Sequence, residues 1–315
     1  MRVGFIGLGL MGASMAANVR AGGFDLVVHD LRREAAKPHL AAGAAWADTP
    51  RAVAEAADVV LTSLPGPPEV EAVALGEGGL LAGMSAGKAY FDLSTNSPTL
   101  VRRLHAVFGA QGVHVLDAPV SGGPRGARTR KLAVWVGGDE AVFLRHKPVL
   151  DAMGDQVLRV GPIGAGSIAK LVHNCAGYAV QCALAEVFTL GVKAGVEPLA
   201  LWQAVRKGAT GRQRLFDRLG DQFLQGKYDP PSFALRLAHK DVSLATALAR
   251  EHRVPMRMAD LALEELTEAL NRGWGERDSR VAMVLQEERA GVQVRVDAAA
   301  LRKAFDEDPP ALDHR

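Results

Sequence analysis

The chain has 315 residues, 48% of them hydrophobic and 23% charged, with a formal net charge of +2. This length predicts two domains, and this hydrophobic content excludes a disordered chain. The near-neutral balance, without a basic stripe, predicts no nucleic-acid partner.

Residues 3–6 (VGFI) form a short apolar run leading into Gly7, Gly9 and Gly12, spaced G-x-G-x-x-G, and 13–20 have helical character. Strand, tight turn and helix in that order predict a dinucleotide site; the plain alternative is a structural turn. Gly7 permits the turn, Gly9 lets the backbone approach a pyrophosphate, and Gly12 lets the helix pack closely. The helix N-terminus offers free N–H groups to the phosphates. A second apolar run, 26–28, leads to Asp30, 18 residues beyond Gly12. An acid there suits a ribose 2′-hydroxyl and predicts NAD, while Arg32 and Arg33 are positioned to take the extra phosphate of NADP.

Further apolar runs at 58–64, 88–93, 113–117, 132–136 and 156–160 alternate with helical stretches such as 51–57, 99–110 and 140–150. That alternation predicts a parallel sheet covered on both faces, a doubly wound α/β domain. Pro65 and its neighbours end one strand at the carboxyl edge, where such sheets bind ligands. Thr95 either caps the helix that starts near Pro98 or bonds to a cofactor. Ser121, Gly122 and Gly123 after a strand end predict a backbone nest for a carboxylate or phosphate, with a flexible loop as the plain reading. The basic residues Arg125, Arg128, Arg130 and Lys131 read as a solvated loop or as an anion-binding rim.

From 165 onward strand-like runs vanish. A long helix is expected over 169–194, apolar around most of its circumference, so it needs cover on all sides. Helices follow at 198–207, 212–224, 232–250 and 256–271. Lys170 and Asn174 lie four apart on the long helix and share one face. A lysine there either snorkels to the surface or exchanges a proton. Lys240 and Asp241 form a second charged pair in an apolar helix, with a surface ion pair as the plain reading. Cys175 and Cys182 are the only cysteines. Two such residues two helical turns apart read as free thiols of a reducing compartment, and no metal site is expected. Met1 leads straight into the first strand, and the apolar stretch 175–190 is broken by Gln181 and Glu186, so neither a leader nor a membrane span is expected. Residues 306–315 read as a frayed tail.

Six motifs occur in order: VGFIGLGLMGASMAANV at the start, SLP at 63–65, DLST at 92–95, DAPVSGGPRGA at 117–127, GPIGAGSIAKLVHN at 161–174 and KDVSLA at 240–245. Together they resemble the β-hydroxyacid dehydrogenases, the family of 3-hydroxyisobutyrate dehydrogenase and tartronate semialdehyde reductase, over about residues 1–290. The resemblance implies a Rossmann-type NAD(P)-binding domain at 1–161 and an all-α substrate and dimerisation domain at 166–290, linked by the long helix. Residues 291–315 stand as a C-terminal extension. It implies Lys170 as the catalytic general acid/base and Asn174 as the residue that orients substrate. It implies that Ser121, Gly122 and Gly123 hold the substrate carboxylate, and that Gly7, Leu8, Gly9, Leu10, Met11, Gly12, Asp30, Leu64, Pro65, Thr95 and Lys240 bind cofactor.

The expected reaction is hydride transfer between nicotinamide and a small 3-hydroxy acid or its semialdehyde, in a cytoplasmic homodimer or homotetramer. Other readings are an imine reductase, a glyoxylate/succinic semialdehyde reductase, or a catalytically silent cofactor-binding module. The chain departs from the family pattern at 128–131 (RTRK), at 210–214 (TGRQR) and past Val296. Arg128, Arg130 and Arg212 would suit a second anionic group on the substrate.

Overall fold

The computed structural model describes residues 1–193, 195–208, 217–220, 222–251 and 256–307. The chain forms two compact units, Met1–His173 and Asn174–Arg315.

The first unit begins with β1 (Arg2–Ile6), α1 (Gly12–Ala21), β2 (Asp25–His29), α2 (Lys37–Ala41) and β3 (Ala45–Trp46). It continues with α3 (Pro50–Ala56), β4 (Val59–Thr62), α4 (Pro67–Leu75), β5 (Ala89–Asp92), α5 (Pro98–Gly109) and β6 (His114–Asp117). Strand order β3-β2-β1-β4-β5-β6 gives the doubly wound parallel core, with all five of these pairings parallel. Val3, Phe5, Val59 and Leu61 pack on one face of this sheet and Ile6, Val27, Val60 and Tyr90 on the other, so the strands read as continuous apolar runs. Local chemistry sets the helix starts. Thr49 Oγ1 accepts from the Ala52 N–H at 3.1 Å, with Pro50 at the first helical position of α3.

Beyond β6 the structure departs from the expected all-parallel sheet. β7 (Val120–Ser121), α6 (Gly123–Thr129), β8 (Leu132–Gly137), α7 (Glu140–Asp151) and β9 (Gly154–Gly161) follow. β8 runs antiparallel to both β6 and β7, while β9 pairs with it in parallel. The Ser121–Gly123 segment, for which a flexible loop was the plain reading, is a short strand turning into a helix. Arg125 and Arg128 sit on α6 rather than on a loop. Arg130 adopts φ +58° where α6 ends.

The helix α8 (Ala165–Lys193) spans the division between the units. Within this chain it is only partly covered: Val172 is 62% exposed, and Ala176 and Gly177 are exposed too. Cys175 is buried and Cys182 half-buried. Its second part belongs with α9 (Pro198–Lys207), α10 (Asp217–Gly220), α11 (Leu235–Glu251), α12 (Arg257–Asn271), α13 (Val284–Ala290) and α14 (Ala298–Glu307). The expected helix at 212–224 is described only from 217; it is helical at Asp217–Gly220 and a turn at 222–224, and the arginine run 210–214 lies outside the described residues.

The C-terminal segment is part of this unit's core. Val294, Val296, Leu301 and Ala304 pack with Trp202 and Phe223. The Phe305 ring meets Trp202 edge-on at 5.2 Å, and Arg206 stacks on both rings. The tail expected from 306 therefore starts as helix; 308–315 lie outside the described residues. No helix among the described residues is long and apolar enough to cross a membrane.

Candidate functional site

The first turn is built by backbone contacts. Gly7 has φ +92°, and its N–H donates to the His29 carbonyl at 3.0 Å. A Cβ on Gly12 would lie 1.9 Å from the Gly7 carbonyl oxygen, and one on Gly7 would lie 2.3 Å from that of Ser63. Gly9 differs: a Cβ there would meet no atom within 4 Å. Gly7 and Gly12 are glycines because the protein closes on them, whereas Gly9 faces open space. The start of α1 has no capping side chain and no acid in its first turn, which suits an approaching anion. Leu8 is buried, Met11 half-buried against the core, and Leu10 is 66% exposed.

Asp30, just after β2, does more than wait for a ligand. Its Oδ2 accepts the Leu8 N–H at 2.7 Å and its Oδ1 the Arg32 N–H at 2.8 Å. The carboxylate thereby ties the end of β2 to the glycine turn. The Arg32 guanidinium lies 3.7 Å away, while Arg33 stacks over Trp46 at 5.3 Å and faces Asp48 at 3.8 Å.

The carboxyl ends of β4 and β5 are joined through Asp92, a buried residue that the sequence reading left without a role. Its Oδ1 accepts from Thr62 Oγ1 and the Ser94 N–H, both at 3.0 Å, and its Oδ2 accepts from Asn96 Nδ2 at 2.7 Å. Ser94 Oγ in turn accepts the Leu64 N–H at 2.9 Å. Leu64 and Pro65 on one loop and Thr95 on the next are therefore held by one network. Burial raises the Asp92 pKa, opposed by the bonds from Ser94, Asn96 and Thr62. Thr95 does not cap α5; Ser97 occupies that position, without a side-chain bond.

Asp117 at the end of β6 was also missed. Its two oxygens accept the N–H groups of Gly164 at 2.7 Å and Ser167 at 2.6 Å. A buried carboxylate thus holds the N-terminus of α8, one turn ahead of the half-buried Lys170. Burial raises its pKa against the pull of those two N–H donors. On the same stretch of helix, His173 Nε2 lies 3.1 Å from Ser121 Oγ, and its ring packs on Trp135 at 5.1 Å. Gly122 and Gly123 continue from Ser121 with φ +132° and +61°, which makes both glycine-favouring positions.

In the second unit, Asn174 Nδ2 donates to Asp241 Oδ2. Lys240 Nζ lies 3.0 Å from Asp241 Oδ1. Asp241 is 1% exposed, so Lys240–Asp241 is no surface pair. The one signal in the sequence for Asp92, Asp117 and Asp241 is an acid within a motif; Thr62, Gly164, Ser167 and Asn174 come to them from far along the chain, while Ser94, Asn96 and Lys240 are near neighbours. Of the arginines expected near an anion, Arg130 turns its Nε to Asn18 Oδ1 at 3.4 Å. Arg212 lies outside the described residues. Among the described residues no group of His, Cys, Asp and Glu is arranged to hold a metal.

Two family profiles match. The NAD-binding domain of 6-phosphogluconate dehydrogenase covers residues 2–161, and the NAD-binding domain of NADP-dependent 3-hydroxyisobutyrate dehydrogenase covers 164–285. The chain is 34% identical over 294 residues to 2-(hydroxymethyl)glutarate dehydrogenase of Eubacterium barkeri, covering 93% of this chain and 97% of that protein. The crystal structure of 3-hydroxyisobutyrate dehydrogenase from Salmonella typhimurium superposes with a TM-score of 0.80 at 31% identity, over 90% of this chain and 99% of that one. An imine reductase from a Pseudomonas species shares the fold alone, with a TM-score of 0.57 at 17% identity, over 90% of this chain and 98% of that one. The two matched domains in order, with the glycine turn and strand-end loops described above, make this chain a member of the β-hydroxyacid dehydrogenase family of NAD(P)-dependent oxidoreductases.

Proposed function

We propose that the protein interconverts a small 3-hydroxy acid and its semialdehyde, with Lys170 exchanging the proton at the substrate oxygen. The observation that carries this reading is the anchoring of α8. Asp117 fixes its first turn, and Lys170 follows one turn later. Ser121, Gly122 and Gly123 bind the substrate carboxylate, and Lys170 acts at the hydroxyl oxygen. Asn174, held by Asp241, is the residue assigned to orienting the substrate.

The open space over Gly9 takes the pyrophosphate, flanked by Gly7, Leu8, Leu10, Met11 and Gly12. Leu64, Pro65, Thr95 and Lys240 complete the cofactor contacts. When bound, nicotinamide supplies the hydride. NAD is the preferred form: Asp30 offers a carboxylate to the ribose hydroxyl, and Arg33 is already engaged by Trp46 and Asp48. The incomplete cover of α8 supports a homodimer or homotetramer, and the use of only two cysteines in 315 residues supports the cytoplasm. Residues 1–161 are the cofactor domain and 166–290 the substrate and dimerisation domain, with 291–307 completing the core of the latter.

The deciding experiment follows nicotinamide absorbance with 3-hydroxyisobutyrate, 3-hydroxypropionate, glycerate and 4-hydroxybutyrate, each with NAD and NADP. Lys170→Ala is expected to bind cofactor but lose kcat by about 10²-fold or more. Near wild-type turnover in that variant removes the mechanism, and a clear preference for NADP reverses the cofactor assignment. Light scattering of the same preparation reads the assembly; a monomer at every concentration contradicts it.

A further inference from the structure

The reaction as proposed leaves His173 without a task, yet two strands meet its ring. Ser121 on β7 supplies the hydroxyl 3.1 Å from Nε2, and Trp135 on β8 supplies a face at 5.1 Å. Ser121 pairs with Ala133 across the ladder, and Ala133 and Trp135 lie on the same face of β8. His173 itself stands three residues after Lys170 on α8, so the two side chains share a helix face. The contact joins residues 52 positions apart, and the imidazole adjoins the hydroxyl assigned to substrate.

A serine hydroxyl carries one hydrogen and two lone pairs. If Nε2 is bare, it draws that hydrogen, and Ser121 shows a ligand only lone pairs. If Nε2 carries a hydrogen, it donates to Oγ, and the serine hydrogen is free to point elsewhere. A carboxylate accepts and never donates, so it bonds to Ser121 only in the second arrangement. The bond it receives is then charge-assisted and stronger than one to a neutral carbonyl.

We propose that His173 is a positioning residue that turns Ser121 into a donor toward substrate, and so makes the site select a free carboxylate over its uncharged ester. This rests on the assignment of Ser121 to the carboxylate. His173 acts through Ser121 and leaves the reacting oxygen to Lys170. Its loss therefore falls on substrate KM, with kcat and cofactor KM largely kept.

The test is a double-mutant cycle of Ser121→Ala, His173→Ala and the double variant, with His173→Gln as the conservative control. The four hydroxyacids named above and their methyl esters are the probes, at saturating cofactor. His173→Ala is expected to raise acid KM about 10-fold or more, the size of a lost bond to a charged group, and to leave ester KM within about 2-fold. The double variant is expected to be no worse than Ser121→Ala, because His173 works only through that hydroxyl. The glutamine amide, which keeps an N–H donor at similar reach, is expected to recover most of the loss. Equal melting temperatures across the set confirm that binding, not folding, is read. The proposal is overturned if the single losses add, if acid and ester suffer alike, or if His173→Ala leaves acid KM unchanged while Ser121→Ala raises it. An unchanged acid KM in Ser121→Ala instead overturns the carboxylate assignment beneath it, and turnover of no acid removes both.

Discussion

The glycine turn of the first unit and the Asn174–Asp241–Lys240 group of the second hold their polar groups in opposite ways. In the turn those groups belong to the backbone, and the shape is set by what is missing: no Cβ fits on Gly7 or Gly12. Carboxylates finish the job by accepting backbone N–H groups, Asp30 from Leu8, Asp92 from Ser94, and Asp117 from Gly164 and Ser167. In the second unit the groups are side chains, and one buried carboxylate aims both the asparagine and the lysine. A backbone site is thus sensitive to added atoms, and a side-chain site to lost charge.

The largest effect expected from this contrast is at Gly12. A Cβ 1.9 Å from a backbone oxygen has no flexible neighbour to push aside. Gly12→Ala is expected to lose about 3 kcal/mol of stability, the upper range for overpacking. Gly9→Ala, with no atom within 4 Å, is expected to fold as the wild type but to raise cofactor KM about 10-fold or more. Thermal melts and cofactor titrations of the pair read this. If Gly9→Ala binds cofactor normally, the pyrophosphate does not lie over that residue.

This contrast also explains what the sequence made legible. The turn is a local pattern: strand, three glycines and a helix within 20 residues, followed by an acid at the end of the next strand. The helices α9, α11 and α12 show their own periodicity as well. The antiparallel turn at β7 did not show, because a two-residue strand has no periodicity and Ser-Gly-Gly reads as loop. α14 was hidden by its short apolar spacing and the two prolines beyond it. Asp92, Asp117 and His173 were invisible for another reason. An acid's role depends on which N–H groups come to it, and those of Asp117 lie 47 and 50 residues away. The bond between Asn174 and Asp241 crosses 67 positions, so nothing near Asp241 in the chain separates it from a solvated acid.

A smaller loss is expected at Asp241. Asp241→Asn keeps the shape but removes the charge that holds the Asn174 amide and the Lys240 ammonium. The cost is expected to be about 2 kcal/mol, the value for a hydrogen bond to a charged partner, tempered because Lys240 is 25% exposed. Denaturant unfolding gives the stability, and kinetics are expected to show cofactor and substrate KM rising together. A rise in only one of them would mean that Asp241 does not aim both side chains.

The smallest effect concerns pH, and it sits in the first unit. Burial lowers the pKa of His39 and of His146 from the ordinary 6.5; in His146 the bond to the Val142 carbonyl works the other way. A histidine held below its unfolded value contributes stability that is full above pH 6.5 and is lost as pH falls through the folded value. Asp92 and Asp117 have the reverse sign. Burial raises both from 3.8, so their contribution is full below that value and is lost as pH rises through the folded ones. Between pH 7 and 5.5 the histidines take up protons on unfolding, and stability is expected to fall. The slope is at most about 1.4 kcal/mol per pH unit for each proton taken up. His146 is buried against Phe91, and Leu fits that setting without a charge to gain. His146→Leu is therefore expected to have a shallower slope in this window than the wild type, measured by denaturant unfolding at each pH. Parallel slopes for the two proteins would mean that His146 is not what resists protonation in the folded unit.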